Sequence, residues 1–207
     1  DKWLLPYKDA IDKRRKMILE AKERLSKDGS LSKGMNNHIY YGLHHDAQGN
    51  WVFREWAPNA TKIYLIGDFN NWKRSEAYAL RPMGGGNWEI TLPAMFLDHG
   101  TLYKLFIEWP GGGAERLPSY VTRAVQDVQT KQFCAQVWDP VKPYEWRNPK
   151  PGRRPHPLIY ECHIGMATEE ERVGTFEEFR LNVLPKVADL GYDTIQIMAL
   201  QEHPYYG

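Results

Sequence analysis

The chain has 207 residues, and 27 Lys and Arg face 26 Asp and Glu for a net charge of +1. That balance excludes a nucleic-acid binder held by phosphate contacts and a polybasic membrane anchor. No apolar run approaches the roughly 20 residues of a membrane span and no signal peptide opens the chain, so a cytoplasmic protein is expected. The compositional anomaly is eight Trp, of which Trp51, Trp56, Trp72, Trp88 and Trp109 fall in one stretch and none follows Trp146. The two ends of the chain are therefore chemically different, as expected of two units. Cys134 and Cys162 lie in apparent strands without CxxC spacing and read as buried thiols of a reducing compartment.

Residues 1–33 read as a helical arm. Tyr7, Ile11, Ile18, Ala21 and Leu25 recur at helical spacing, Pro6 suits a first turn and Asp28-Gly29 is a stop signal. The stripe is thin, so the helix is expected to dock on a neighbour; Lys13 to Lys16 form a solvated basic face. Residues 34–138 read as all-β, with strands at HIYYGL, NWVFRE, KIYLIG, NWEITLP, TLYKLFIE and KQFCAQVW separated by Gly- and Asn-rich turns. Short strands so spaced indicate a sandwich or small barrel. Residues 139–157 hold six Pro and form an extended linker, because Pro lacks the N–H and fixes φ. Over 158–207 the pattern becomes strand, helix, strand. LIYECHIG is a buried-type strand, Thr175 and Glu178 form a capping box, Pro185 kinks the helix, Gly191 ends it and DTIQIMAL is the second strand. That is one βαβ unit and a parallel pair. Two parallel strands do not make a stable sheet, so the chain reads as a fragment of a longer protein.

The segment NVLPKVADLGYDTIQIMALQEHPYYG, Asn182 to Gly207, resembles the start of the catalytic barrel of 1,4-α-glucan branching enzymes. IYECHIGMATEEERVGTFEEF resembles the first barrel strand and its loop, and REWAPNATKIYLIGDFNNW is similar to the family 48 carbohydrate-binding module that precedes that barrel. The arm WLLPYKDAIDKRR also has a counterpart in the family. The resemblance implies a mainly β chain: an immunoglobulin-like β-sandwich after a helical arm, then the first β-α-β unit of a (β/α)8 TIM barrel of glycoside hydrolase family 13. It implies transfer of an α-1,4-glucan segment to a 6-hydroxyl in glycogen biosynthesis. The alternatives are a non-catalytic glycogen-binding regulatory module and a debranching hydrolase of the same superfamily. The family's nucleophilic Asp, acid–base Glu and second Asp come from later strands and have no counterpart here, so the chain alone is expected to be inactive. Its implied partners are α-1,4-glucan and the remainder of its own barrel.

The residues agree that catalysis lies elsewhere. Retaining chemistry on a glycosidic bond needs two carboxylates about 5 Å apart. Asp68, Glu161 and Glu202 are the candidates at strand ends, and no two form a credible dyad. Glu202 and His203, just past the second strand, are at a position that can line a barrel site, with substrate contact the minority reading; His163 reads as structural. Metal-ligand spacing is absent, and no cofactor is expected.

Aromatic chemistry is the stronger signal. A pyranose has an apolar C–H face that fits an indole and a hydroxyl rim that suits Asn, Lys and backbone groups. Trp72, at the far end of GDFNNW, is the first candidate platform and Trp56, in EWAP, the second; Trp51 and Trp88 are assigned to the core. The resemblance extends to Ala57 and Pro58, matches Lys104 to a sugar-contacting Lys of related modules, and places the Gly84–Asn87 loop where branching enzymes contact oligosaccharide. Asn70 and Asn87 join the candidate contacts. Asn70 and Asn71 either bond the sugar or only shape the turn. One stacked ring hiding about 100 Å² contributes roughly 2.5 kcal/mol. Millimolar affinity needs about 4 kcal/mol net, so two platforms plus hydrogen bonds are required for weak binding.

Overall fold

The structure, a computed structural model, describes residues 1–26, 28–201 and 203. The Asp1 carboxylate accepts from Trp3 N and caps a 3-10 turn, Lys2–Tyr7, that leads into α1, Lys8–Leu25. No residue of α1 is buried, and Ile11, Met17, Ile18 and Leu25 face outward. The expected docking of this stripe has no counterpart among the described residues. The chain turns at Asp28 and Gly29, both at positive φ, before the single helical turns α2, Leu31–Gly34, and α3, Asn37–Tyr40. The expected strand HIYYGL is thus corrected: its first half is helical and β1 is only Gly42–His45. At Gly42 (φ +86°) a Cβ would stand 2.5 Å from the Tyr120 carbonyl oxygen, so the backbone turns where only glycine fits.

From there the chain is a two-sheet sandwich. The strands are β2 Trp51–Trp56, β3 Lys62–Gly67, β4 Arg81–Gly84, β5 Asn87–Leu92, β6 Leu102–Trp109, β7 Gly112–Arg116, β8 Ala124–Gln126 and β9 Phe133–Gln136. One antiparallel sheet runs β1-β2-β5-β4; the other runs β3-β6-β9-β8, with β7 also paired to β6. Inward-facing Trp51, Phe53, Trp88, Ile90 and Leu92 of the first sheet meet Ile63, Leu65, Tyr103, Leu105 and Ala135 of the second. The period-2 alternation of β5 produces its share of that layer directly, whereas in β2 Trp51, Val52 and Phe53 are all buried. Trp51 and Trp88 are buried, as expected, with their indole N–H groups donating to Leu97 O and Ala57 O.

Three strands escaped the sequence reading. β4 carries Pro82, which an edge strand tolerates. β7 begins Gly112-Gly113, where Cβ atoms would meet the Trp109 indole and the Phe106 ring; glycine lets that strand lie against aromatic side chains. β8 has only three residues.

Residues 139–157 contain neither helix nor strand. Beyond them β10, Ile159–His163, and β11, Thr194–Met198, pair in parallel with Ile159 opposite Thr194. Thr175 Oγ1 accepts from Glu178 N and Thr175 N donates to Glu178 Oε2, the expected capping box, at the start of α4, Phe176–Glu178. A π-helical turn, Phe179–Val183, then opens directly ahead of Pro185, whose missing N–H cannot continue the ladder, and α5 follows, Leu184–Asp189. Cys162, Ile164, Phe179, Val183, Leu184, Ile195 and Ile197 form a small second core. Both cysteines are free; burial pushes both thiols up and leaves them protonated.

Candidate functional site

Two surfaces gather the candidate residues, and they lie at opposite ends of β3. Trp56 ends the strand before β3 and Trp72 closes the turn after it, so the six residues of β3, roughly 20 Å at about 3.3 Å each, run between them. The two rings are therefore described as separate surfaces. Each indole works with its own neighbours.

The Trp72 surface is built by its turn. Gly67 is obligatory, since a Cβ there would sit 2.3 Å from Leu102 O. The chain then makes a 3-10 turn, Asp68–Asn70, in which Asp68 Oδ2 accepts from Leu102 N at 2.8 Å and Phe69 packs between Tyr78 and Phe96. Asn70 Oδ1 accepts from Gly67 N at 3.0 Å and its Nδ2 donates to Leu65 O at 3.1 Å. Both ends of the Asn70 amide thus shape the turn. Asn71 and Trp72 follow at φ +53° and +60°. Consecutive left-handed non-glycine residues are costly, and such strain persists where the surroundings over-determine it. Here it directs the half-buried Trp72 ring over Lys104, with Nζ 5.8 Å from the ring centroid. Lys104 is only 8% exposed; its ammonium donates to Glu115 Oε2 at 3.0 Å and Gln132 Oε1 at 3.4 Å. An aromatic face, an ammonium, a carboxylate and an amide thus converge from the β3 turn, β6, β7 and the start of β9. Beside them Leu117 and Phe133 line a shallow cleft of about 430 Å³.

The Trp56 surface is a clamp between two loops. Ala57 N donates to Gly86 O at 2.8 Å, and Trp56 Nε1 to Gly85 O at 3.1 Å. Gly84, Gly85 and Gly86 all have positive φ, and a Cβ on Gly86 would lie 2.9 Å from Pro58 and 3.0 Å from Trp56 Nε1. The glycines therefore let the loop close on the indole and fix it, while 54% of Trp56 stays exposed. Ala57 packs on the core and Pro58 props the loop. Asn87 joins this surface: its Nδ2 donates to Gly84 O and its Oδ1 accepts from Tyr41 Oη at 2.6 Å. Burial, then the neighbouring Tyr40, Tyr120 and Glu55, push the Tyr41 phenol up, so it remains a donor. Asn37, Tyr41, Glu55, Trp56, Ser119 and Tyr120 line a cleft of about 500 Å³, within the range of small-molecule sites.

Of the carboxylates weighed for catalysis, the two described ones serve local contacts. Asp68 serves its turn, and Glu161, exposed in mid-strand, is 3.5 Å from Gln196 Nε2. Glu202 lies outside the described residues; the His163 and His203 rings are 6.0 Å apart. Among the described residues no His, Cys, Asp and Glu group suits a metal, and no helix is long and apolar enough to cross a membrane.

Glu115, Gln132, Tyr41 and Tyr120 were not singled out from sequence. They reach the two indoles through strand register and a return loop, and their local sequence carries no signal of it.

Residues 40–122 match the family model Carbohydrate-binding module 48 (Isoamylase N-terminal domain). The whole chain aligns with the 1,4-alpha-glucan-branching enzymes of Rhizophagus irregularis (38% identical), Saccharomyces cerevisiae (35%) and Dictyostelium discoideum (34%). It spans about a third of the length of these relatives, 31% to 32%. Among solved structures, the putative alpha amylase of Salmonella typhimurium superposes with TM-score 0.59 at 26% identity, over 76% of this chain and 24% of that protein. The Group B Streptococcus pullulanase SAP in complex with maltotetraose gives 0.59 at 20% identity, over 80% and 24%, a likeness of fold alone. Residues 40–122 are therefore similar to carbohydrate-binding modules of family 48, within a sequence similar from end to end to part of the 1,4-alpha-glucan-branching enzymes.

Proposed function

We propose that the chain is the N-terminal, glucan-binding part of a cytoplasmic 1,4-α-glucan branching enzyme. The parent protein cuts an α-1,4-glucan and transfers the segment to a 6-hydroxyl. In this reading residues 1–33 are an arm, 34–138 the glucan-binding sandwich, 139–157 a linker, and 158–207 the first unit of the catalytic barrel. The observation that carries it is the convergence of Trp72, Lys104, Glu115 and Gln132 on one outer face of the sandwich. The indole meets the apolar face of a glucose unit, and the three polar groups meet its hydroxyl rim. Trp56, with Asn87 beside it, supplies a second surface. Each ring offers roughly 2.5 kcal/mol of stacking, short of what millimolar binding needs, so hydrogen bonds and contacts at both surfaces add up and a polymer is retained by repeated contacts. The two-stranded β10–β11 sheet, with Ile159 and Met198 exposed, fits a unit whose remaining strands lie in the rest of the barrel.

Titration of maltoheptaose into the chain, followed by Trp fluorescence, tests the binding. Trp72→Ala and Trp56→Ala are each expected to remove part of the response. Parent-like binding by both variants overturns the assignment. For the parent protein, an iodine-spectrum shift on amylose without release of reducing sugar is expected; measurable branching by residues 1–207 alone would sink the reading.

A further inference from the structure

Glu55 is the anomaly of the sandwich interior. It sits on β2 in line with Trp51 and Phe53, two apolar core residues, yet it carries a carboxylate and is 2% exposed. An apolar side chain would fill that position without the cost of desolvating a charge. Among the described residues Glu55 has no ion-pair partner. Its two oxygens are used differently: Oε1 accepts from Trp56 N at 3.0 Å and Oε2 from Ser119 N at 2.8 Å. One oxygen thus holds the backbone of the exposed indole. The other holds a segment 64 residues away in sequence, next to Tyr120. Tyr120 stacks on Tyr41 with ring centroids 5.3 Å apart and planes 21° apart, and its backbone oxygen closes on Gly42 where no Cβ intervenes. Trp56, Tyr41 and Tyr120 all line the one cleft that has Glu55 in its floor.

We propose that Glu55 is the positioning residue of this cleft, fastening Trp56 and the Tyr41–Tyr120 pair as two walls that grip an α-1,4-glucan between them. The proposal rests on the glucan reading above and adds that the Trp56 surface is a two-walled cleft, assembled by a buried carboxylate, where the Trp72 surface is a one-sided platform. Glu55 touches no sugar; it acts through the two backbone N–H groups.

The indole N–H resonances of Trp56 and Trp72 report the two surfaces separately in one sample. In a maltoheptaose titration of the whole chain followed by NMR, both resonances are expected to shift. In Glu55→Ala the affinity read at Trp56 is expected to fall roughly tenfold, the scale of a lost charge-assisted hydrogen bond, while that read at Trp72 stays unchanged. Glu55→Gln keeps one acceptor and is expected to recover part of the loss; it serves as the deciding variant if the Ala form does not fold. Tyr120→Ala is expected to reproduce the selective loss. A purely structural Glu55 would weaken both readings by the same factor, and that result, or an unchanged Trp56 reading, overturns the proposal. No shift at either indole in the parent chain overturns the glucan reading itself and the cleft with it.

Discussion

Substitution of Gly86 by Ala isolates the closure of the glycine loop on Trp56. At φ +82° an alanine pays about 1–2 kcal/mol for the left-handed backbone alone. Its Cβ would also lie 2.9 Å from Pro58 Cα and Cβ and 3.0 Å from Trp56 Nε1. Pro58 is backbone-fixed, so the loop must withdraw. Withdrawal breaks the bonds Ala57 N to Gly86 O and Trp56 Nε1 to Gly85 O, each worth about 1 kcal/mol net. The sum is about 3–4 kcal/mol. Gly84→Ala is the matched control: φ is +86°, and no atom lies within 4 Å of the added Cβ, so only the backbone cost of about 1–2 kcal/mol remains. Urea denaturation of the two variants is expected to differ by about 2 kcal/mol, with Gly86→Ala the weaker. The Trp56 indole resonance should move in Gly86→Ala and hold in Gly84→Ala. Equal destabilisation of the two variants would refute the steric account of the loop.

Asn70→Ala removes both side-chain bonds of the Trp72 turn, and a loss of about 2 kcal/mol in urea denaturation is expected, with weaker glucan response at Trp72. The Glu178 carboxyl is held at about 2, first by Arg172 and then by Thr175 N and Oγ1, below its ordinary value of 4.5. The folded form therefore binds its proton last. The stabilisation of the capping box is complete above about pH 4.5 and is lost as pH falls towards 2, so far-UV circular dichroism of the chain and of Thr175→Ala should converge across that window. Cys162, 7% exposed with its thiol pushed up by burial, is expected to resist a thiol reagent at neutral pH until the chain is unfolded; rapid labelling of the native chain would contradict its placement in the second core.

Where the chain's own pattern decides the structure, the sequence was sufficient. β5 alternates, β3 and β6 are apolar runs closed by turns, and Thr175 with Glu178 announces a helix start. Where a distant contact decides, it was not. The β-prone Ile39 and Tyr40 lie in a helical turn, just ahead of Gly42, where a Cβ would meet the Tyr120 carbonyl oxygen. Gly112 and Gly113 read as turn residues and form strand because Trp109 and Phe106 fill the space a side chain would need. The candidate site divides the same way. Trp56 and Trp72 stood out as aromatic residues in polar turns. Glu115 and Gln132, 11 and 28 residues beyond Lys104, meet it only through the pairing of β6 with β7 and β9. The two roles open for Asn70 separate here: its amide carries the turn.

The Pro-rich segment 139–157 sets a length scale. Its 19 residues, at about 3.1 Å each when fully extended, reach roughly 60 Å. On the proposed reading of 139–157 as a linker, a glucan held on the sandwich is confined to a sphere of that radius around the βαβ unit, an effective concentration on the order of 1–2 mM. That value holds however dilute the polymer is in solution. Shortening the segment by half would raise it about eightfold by volume alone, until the tether no longer spans the distance it must bridge.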